Sequence, residues 1–412
     1  MKKQRQFPQP SPRQMTRRLL ISAAIAAPIM APAISRAQEN ALERAVSAAC
    51  REAVVQKKGF FPAPGASAAV IAPNGRPITA VYGLADPDAG LSVAPTTRFM
   101  SGSTGKTFCA AGIMALVDAG RLHLDQKAAS IFPGENWYEN LPNANDLTIR
   151  HLLSHRGGFQ QFLALPSFQA TYALDALTGG ERAYTPKRML RFLENARPLF
   201  KAGEGYWYSD LHYHLLGLVI EKISGMSYYA FLSRAVIDKM QMFAADTVPA
   251  NTQAIDRLAA GYAKGGLTGR IAGVNGRSTD ANGALRNDPS LEYAGGGLAT
   301  TPRALAEFYW RLARGEIISP GAFQQMCAPS DGSETRGADS GSGYRLGFYL
   351  TTRDGFGRYI SHSGFYPGYT SNVAHFLDHG FSVAIQQNTD HGADLFQRTR
   401  DIAAATIEAL GR

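Results

Sequence analysis

Apolar residues alternate with polar ones near the two ends of the chain and recur at helical spacing through its middle. Ala68 to Ala72 and Ile78 to Tyr82 flank Asn74-Gly75, and two short apolar runs around such a dipeptide predict a hairpin. Near the other end, Tyr344 to Thr351, Arg358 to Ser361, Tyr369 to Leu377 and Phe381 to Asn388 read as strands, punctuated by Asp354-Gly355 and His379-Gly380. Asp390 to Leu410 reads as a closing helix that stops at Gly411. Lys106 to Ala119 is apolar almost all round and ends at Gly120, the pattern of a buried helix. Thr148 to Leu153, Pro186 to Glu194, Leu211 to Ile223 and Pro302 to Leu312 are further helices. The strand–helix alternation of a parallel sheet is not seen. The expected fold is therefore α+β. One antiparallel sheet drawn from both chain ends, about 60–98 and 340–412, is flanked by helices, with a mainly helical region inserted at about 99–330. Lys264 to Asn287 and Asp331 to Gly343 are expected as long loops.

With 45% hydrophobic and 18% charged residues among 412, the chain has material for a large core and is not a disordered sequence. Its formal charge of +9 is concentrated at one end. Lys2, Lys3, Arg5, Arg13, Arg17, Arg18 and Arg36 carry seven of those charges, leaving +2 for residues 38–412. No basic footprint for a nucleic-acid partner remains. Residues 1–37 read instead as an export signal. A basic region ends in Thr16-Arg17-Arg18, an apolar run follows from Leu19 to Ala33, and Ser35-Arg36-Ala37 supplies small residues for cleavage. The arginine pair resembles a twin-arginine signal. An uncleaved anchor is the alternative, but the run is short of the roughly 20 residues that span a bilayer. A periplasmic or secreted protein, with no stable membrane insertion after cleavage, is expected. Of Cys50, Cys109 and Cys327, Cys109 lies in an apolar run, and only one bridge, Cys50–Cys327, is open.

Gly102-Ser103-Thr104-Gly105-Lys106-Thr107 opens the buried helix. Three residues apart, Ser103 and Lys106 share a helix face, within reach of one another. A serine at a helix start also lies among free backbone N–H groups that can hold an oxyanion. The rival reading, a phosphate-binding loop ending in Gly105-Lys106-Thr107, requires glycine at position 100, where Met100 stands. Two further segments favour the serine. Tyr208-Ser209-Asp210 precedes an apolar helix, and His362-Ser363-Gly364 ends a strand.

In order and spacing these three segments resemble the S-x-x-K, Y-x-N and K-[ST]-G set of the serine β-lactamase and penicillin-binding-protein superfamily, nearest its class C-like branch of β-lactamases, D-peptidases and esterases. Leu147 to His155 and Ala294 to Leu298 also fit, and the resemblance spans roughly residues 42–410. It implies a β-lactamase/transpeptidase-like fold and an acyl-enzyme on Ser103, with no cofactor and no metal. Lys106 would help remove the serine proton, and Tyr208 would shuttle a proton to the leaving group, each with a shifted pKa. The N–H groups of Ser103 and Phe365 would form the oxyanion hole. Gly364 would allow close approach of backbone and substrate, while Asp210, His362 and Ser363 would contact it; Trp207, beside the second segment, is expected either to line the acyl pocket or to pack in the core.

The sequence departs from the pattern twice. His362 stands where the family has lysine, which suits neutral acyl esters or peptides better than a substrate carboxylate. Asp210 stands where the family has asparagine. Facing Lys106, it would favour the charged amine and shift proton acceptance toward Tyr208. The expected activity is that of an esterase or amidase on a small acyl ester, amide or D-amino peptide. A β-lactamase or a D-alanyl-type carboxypeptidase or D-aminopeptidase is the alternative. A weakly catalytic protein that recognises peptidoglycan or penicillin is the reading from another class. His151 and His155, four apart, have metal-compatible spacing but no third ligand, and are expected to be structural. His212 and His214 fall on opposite sides of their helix. Arg156-Gly157-Gly158-Phe159 is expected to shape a turn near the site.

Overall fold

A computed structural model describes residues 36–54, 63–178, 183–264, 276–329, 342–391 and 394–411. The expected export signal falls almost wholly outside them, as do parts of both expected long loops. The described chain begins with helix α1 (Arg36–Val54), which already includes the expected cleavage position.

The architecture is a mixed α+β sandwich around one antiparallel sheet of eight strands. The N-terminal part supplies β1 (Gly65–Ile71), β2 (Pro77–Asp86) and β3 (Leu91–Ser92). The C-terminal part supplies β4 (Gly343–Tyr344), β5 (Tyr349–Arg353), β6 (Gly357–Tyr366), β7 (Tyr369–Phe376) and β8 (Phe381–Gln387). The order is β3-β2-β1-β8-β7-β6-β5-β4, so the two ends of the chain meet where β1 pairs with β8, Ala66 opposite Gln387. Alternation along the strands divides the sheet faces. Ala374, Phe376, Val383 and Ile385 pack with α1 and the closing helix α5 (Leu395–Ala409). Val373, Ala384 and Ile360 join the core of the helical middle.

In that middle, α2 (Gly105–Asp118) is buried on nearly every side, as its uniform apolarity requires. It packs on α3 (Asp210–Ser224), with Gly112 leaving room for Ile220. Ser209 caps α3 by accepting the Leu211 N–H, and Gly225 ends it in the left-handed conformation at φ 74°. Helix α4 (Pro302–Ala313), capped by Thr301, lies against β1, β7 and β8.

The structure corrects several expectations. The run from Tyr344 to Thr351 is two strands, because Gly347 turns the chain at φ 95°. Any Cβ there would lie 2.4 Å from that of Ala110, and the Gly347 carbonyl accepts a hydrogen bond from Thr107 at 2.7 Å. His362-Ser363-Gly364 lies inside β6 rather than at the end of a strand, since the pairing with β7 continues to Tyr366. The closing helix starts at Leu395, where Asp394 caps the N–H groups of Phe396 and Gln397. Pro166–Thr178, Tyr228–Ala235 and Pro320–Cys327 are helices beyond those expected. Cys109 and Cys327 are free thiols, and the Cys50 side chain is outside the description.

Candidate active site

Gly102–Thr104 forms one 3-10 turn that runs into α2. Ser103 thus sits at the helix entrance and Lys106 in the first turn. Lys106 Nζ donates to Ser103 Oγ at 2.9 Å and to the Gly295 carbonyl at 2.6 Å. Lys106 is fully buried, and a buried charge needs a partner. Asp210, the first residue of α3, provides it through an ion pair between Oδ1 and Nζ. Gln161 grips Asp210 in turn. Its side-chain amide donates to Oδ2 at 2.5 Å, and its Oε1 accepts the Asp210 N–H at 3.2 Å. Burial pushes the Asp210 carboxyl up, but the charge of Lys106 and the bonds from Lys106 and Gln161 hold it below its ordinary range. Glu292 lies in the same field. Burial and the Asp210 charge push its carboxyl up to about 8 against the pull of Lys106, so it keeps a proton at neutral pH.

Tyr208 lies two residues ahead of α3, with its ring centroid 5.0 Å from Lys106 Nζ. Burial and the Asp210 charge raise its phenol well above the ordinary value, although its hydrogen bond with Ser103 pulls the other way. The resting phenol is neutral. The same Asp210 carboxylate that faces Lys106 disfavours the ionised phenol, so at rest Tyr208 keeps its proton.

The opposite wall is the last part of β6, from His362 to Tyr366, beyond its pairing with β5, which stops at Ser361. His362 is buried. Its Nδ1 lies 2.7 Å from the Ser363 carbonyl and so carries the proton, and its Nε2 lies 3.3 Å from the Tyr344 hydroxyl. Burial, then Lys106, lowers its pKa to about 3, leaving it uncharged. Gly364 allows the close backbone approach expected of it: a Cβ there would lie 1.9 Å from the Ser101 carbonyl. The contact brings the Phe365 N–H beside residue 102, since a Cβ on Gly102 would meet it at 2.5 Å. The Phe365 backbone therefore flanks the nucleophile, and its side chain is 49% exposed.

A cleft of about 450 Å³ joins the two walls and is lined by Ser103, Tyr208, His362, Ser363, Gly364 and Phe365. Tyr349, Asn372 and Phe396, which the sequence did not point to, line it as well. Trp207 does not: it is 47% exposed, and its N–H donates to the His155 carbonyl at 3.0 Å.

Three of the other histidines meet specific neighbours. His151 completes a capping box with Thr148. His212 stacks on Phe159, with centroids 4.7 Å apart, and His155 Nδ1 lies 3.3 Å from His212 Nδ1. Among the described residues no group of three side chains is placed to hold a metal ion. In the Arg156-Gly157-Gly158-Phe159 turn, Gly157 makes room for His212.

Known proteins share this frame. The chain is 23% identical over 326 residues to penicillin-binding protein 4* of Bacillus subtilis, a match covering 77% of this chain and 66% of that protein. It is 27% identical over 187 residues to protein flp of Staphylococcus aureus, covering 45% of this chain and 35% of that one. The chain thus spans less than two thirds of the length of these relatives. Among solved structures, a D-stereospecific amidohydrolase from Streptomyces sp. superposes with a TM-score of 0.68 at 24% identity, over 88% of this chain and 97% of the other. A D-amino acid amidase from Ochrobactrum anthropi SV3 gives 0.66 at 21% identity, over 91% and 99%. At these identities both likenesses speak to the fold. The Beta-lactamase family model matches residues 58–407, most of the sequence, and the chain belongs to that family.

Proposed function

We propose that the protein is an exported serine hydrolase that forms an acyl-enzyme on Ser103 and acts as an esterase or amidase on small acyl substrates. The observation that carries this reading is the 2.9 Å bond from Lys106 Nζ to Ser103 Oγ on the floor of a cleft shared with Tyr208. Ser103 Oγ attacks the acyl carbon and gives its proton to Lys106 as Lys106 passes one to Asp210. The ion pair is the resting form, and the neutral amine–acid pair forms only as the serine proton moves. The oxyanion is held by the N–H groups of Ser103 and Phe365. The carbon–leaving-group bond breaks as Tyr208 donates a proton to the departing oxygen or nitrogen, and Lys106 restores the phenol. Water then repeats the sequence in reverse and frees the acid.

The neutral His362 and the absence of a cation among the described cleft-lining residues favour uncharged acyl groups. The names of the amidohydrolase and D-amino acid amidase neighbours make amides of D-amino acids suitable first amide substrates. The second reading, a protein that recognises acyl-D-amino peptides and turns over slowly, is favoured by one observation, the ion pair that occupies Lys106. Export rests on the basic-then-apolar segment of residues 1–37.

The test is steady hydrolysis of a short-chain nitrophenyl ester beside a chromogenic cephalosporin and a D-amino acid amide. Ester turnover that falls at least about 10³-fold in Ser103→Ala is the expected result. Ser103-dependent labelling without release would move the conclusion to the binding protein, and comparable cephalosporin turnover to a β-lactamase. Sequencing of the N-terminus of the extracellular or periplasmic form, expected near residue 38, tests export.

A further inference from the structure

The segment that carries Tyr208 is bracketed by one residue. The His155 carbonyl accepts the N–H of Trp207 at 3.0 Å, and His155 Nδ1 accepts the N–H of Ser209 at 3.2 Å. Between these two bonds the imidazole lies against the Tyr208 ring, with centroids 4.2 Å apart and planes inclined at 36°. On its other sides the imidazole meets the rings of Tyr344 at 4.7 Å and Tyr213 at 5.2 Å. His155 is fully buried. It takes the left-handed conformation at φ 56°, which is uncommon for a residue other than glycine and held only where the surroundings enforce it.

The bonds also fix the tautomer. A backbone N–H can only donate, so His155 Nδ1 is an acceptor and its proton is on Nε2. His212 Nδ1, 3.3 Å from His155 Nδ1, must then carry the proton that joins the two rings. Burial, then His212, Lys106 and His362, hold His155 well below its ordinary pKa, in keeping with the neutral form. Five and six residues on, the same loop finishes the grip. Gln160 accepts from Ser209 Oγ at 3.1 Å, and Gln161 holds Asp210.

We infer that His155 is a positioning residue for Tyr208: as the neutral Nε2–H tautomer it clamps the backbone after the tyrosine and supports the ring face, keeping the phenol where it can protonate the leaving group. The inference rests on the serine-hydrolase reading for its chemistry and on the ring and N–H contacts for its geometry. It separates His155 from a merely structural core histidine by the step it should affect. A nitrophenolate leaves without being protonated, whereas an alkoxide or amine requires the proton from Tyr208.

The experiment compares His155→Ala, His155→Asn and Tyr208→Phe with the unmodified protein. Asparagine tolerates the left-handed conformation and offers Oδ1 to the Ser209 N–H. The substrates are a nitrophenyl ester and the alkyl ester or amide of the same acid, with thermal melting as a check on folding. His155→Ala is expected to lower kcat for the alkyl ester or amide about 100-fold and for the nitrophenyl ester less than about threefold, with KM little changed. His155→Asn should recover at least half of the logarithmic loss. The double variant His155→Ala/Tyr208→Phe should be no slower than Tyr208→Phe. Equal losses on both leaving groups, or additive losses in the double variant, overturn the inference. A crystal structure of His155→Ala decides it without any turnover: a displaced or disordered Tyr208 side chain is expected, and an unmoved one overturns it. Loss of the hydrolase reading would appear separately, as turnover indifferent to Ser103→Ala.

Discussion

The helical wall of the cleft holds Lys106 and two carboxyls, Asp210 and Glu292, whose protonation depends on it and on each other. The facing wall, the last part of β6, offers His362 as a neutral ring, Ser363, and the backbone and half-exposed ring of Phe365. Both walls are close-packed behind the surface, but only the first stores protons. The contrast divides the work of the site. Proton movement is confined to groups buried on α2 and α3 and beside them, where burial and neighbouring charge magnify small displacements. In the proposed mechanism β6 holds the acyl oxygen and meets the substrate with a ring, His362, that stays neutral near pH 7.

The largest test of that division is Asp210→Asn. With aspartate, the pair already holds the proton count that catalysis needs down to the pH at which Asp210 itself protonates, below the ordinary carboxylate range. With asparagine, Lys106 must shed its proton to solvent before it can accept one from Ser103. The acid limb of kcat/KM is therefore expected to move up by several pH units, and activity at pH 7 to fall about 100-fold. A superimposable pH profile would remove Asp210 from the proton path.

A smaller effect is expected from Glu292→Gln. The folded protein keeps a proton on Glu292 up to about pH 8, whereas the unfolded chain releases it near 4.5. Between those values the unfolded state is increasingly favoured, so this group's contribution to stability falls as pH rises and levels off above 8. The glutamine variant lacks that slope. Its melting temperature should match the parent near pH 5 and exceed it by a few degrees at pH 8. Parallel melting curves across that range would mean that Glu292 ionises normally.

The smallest expected effect concerns the other wall. His362→Lys adds a cation to β6, within the field of Lys106 and Asp210. The ratio of cephalosporin to neutral ester turnover should rise about three- to tenfold, mostly through KM. An unchanged ratio would show that β6 does not select substrates by charge.

Much of this division could be read in the sequence. Ser103 and Lys106 are near neighbours on one helix, so their spacing alone predicted their contact, and Asp210 was expected to face Lys106. The sheet was legible because strand alternation and turn dipeptides are local signals. What remained hidden depends on contacts without local signature. Gln161 reaches Asp210 across 49 residues, and the Gly295 carbonyl reaches Lys106 across 189. Tyr349, Asn372 and Phe396 enter the cleft through sheet register and the placement of α5. The backbone bond to His155 that sets Trp207 in place has no local signature, and neither does the field of Asp210 on Tyr208. The close approach expected at Gly364 was legible, but its partners, the Ser101 carbonyl and Ser371 Oγ, and its place inside β6 were not.

The meeting of the two chain ends in the sheet also sets a timetable for synthesis. The Gly65 N–H finds its acceptor, Asn388 Oδ1, 323 residues further along the chain. β1 leaves the ribosome long before β8 exists, and Ser103, in the turn that leads into α2, is made more than two hundred residues before β6. A nascent chain has its serine and lysine but nothing opposite them, so it is chemically silent until almost the last residues are added. Pairings over such distances are slow to form. Truncation in the final few dozen residues would therefore remove both the partner of the first strand and the floor on which the outer helices rest.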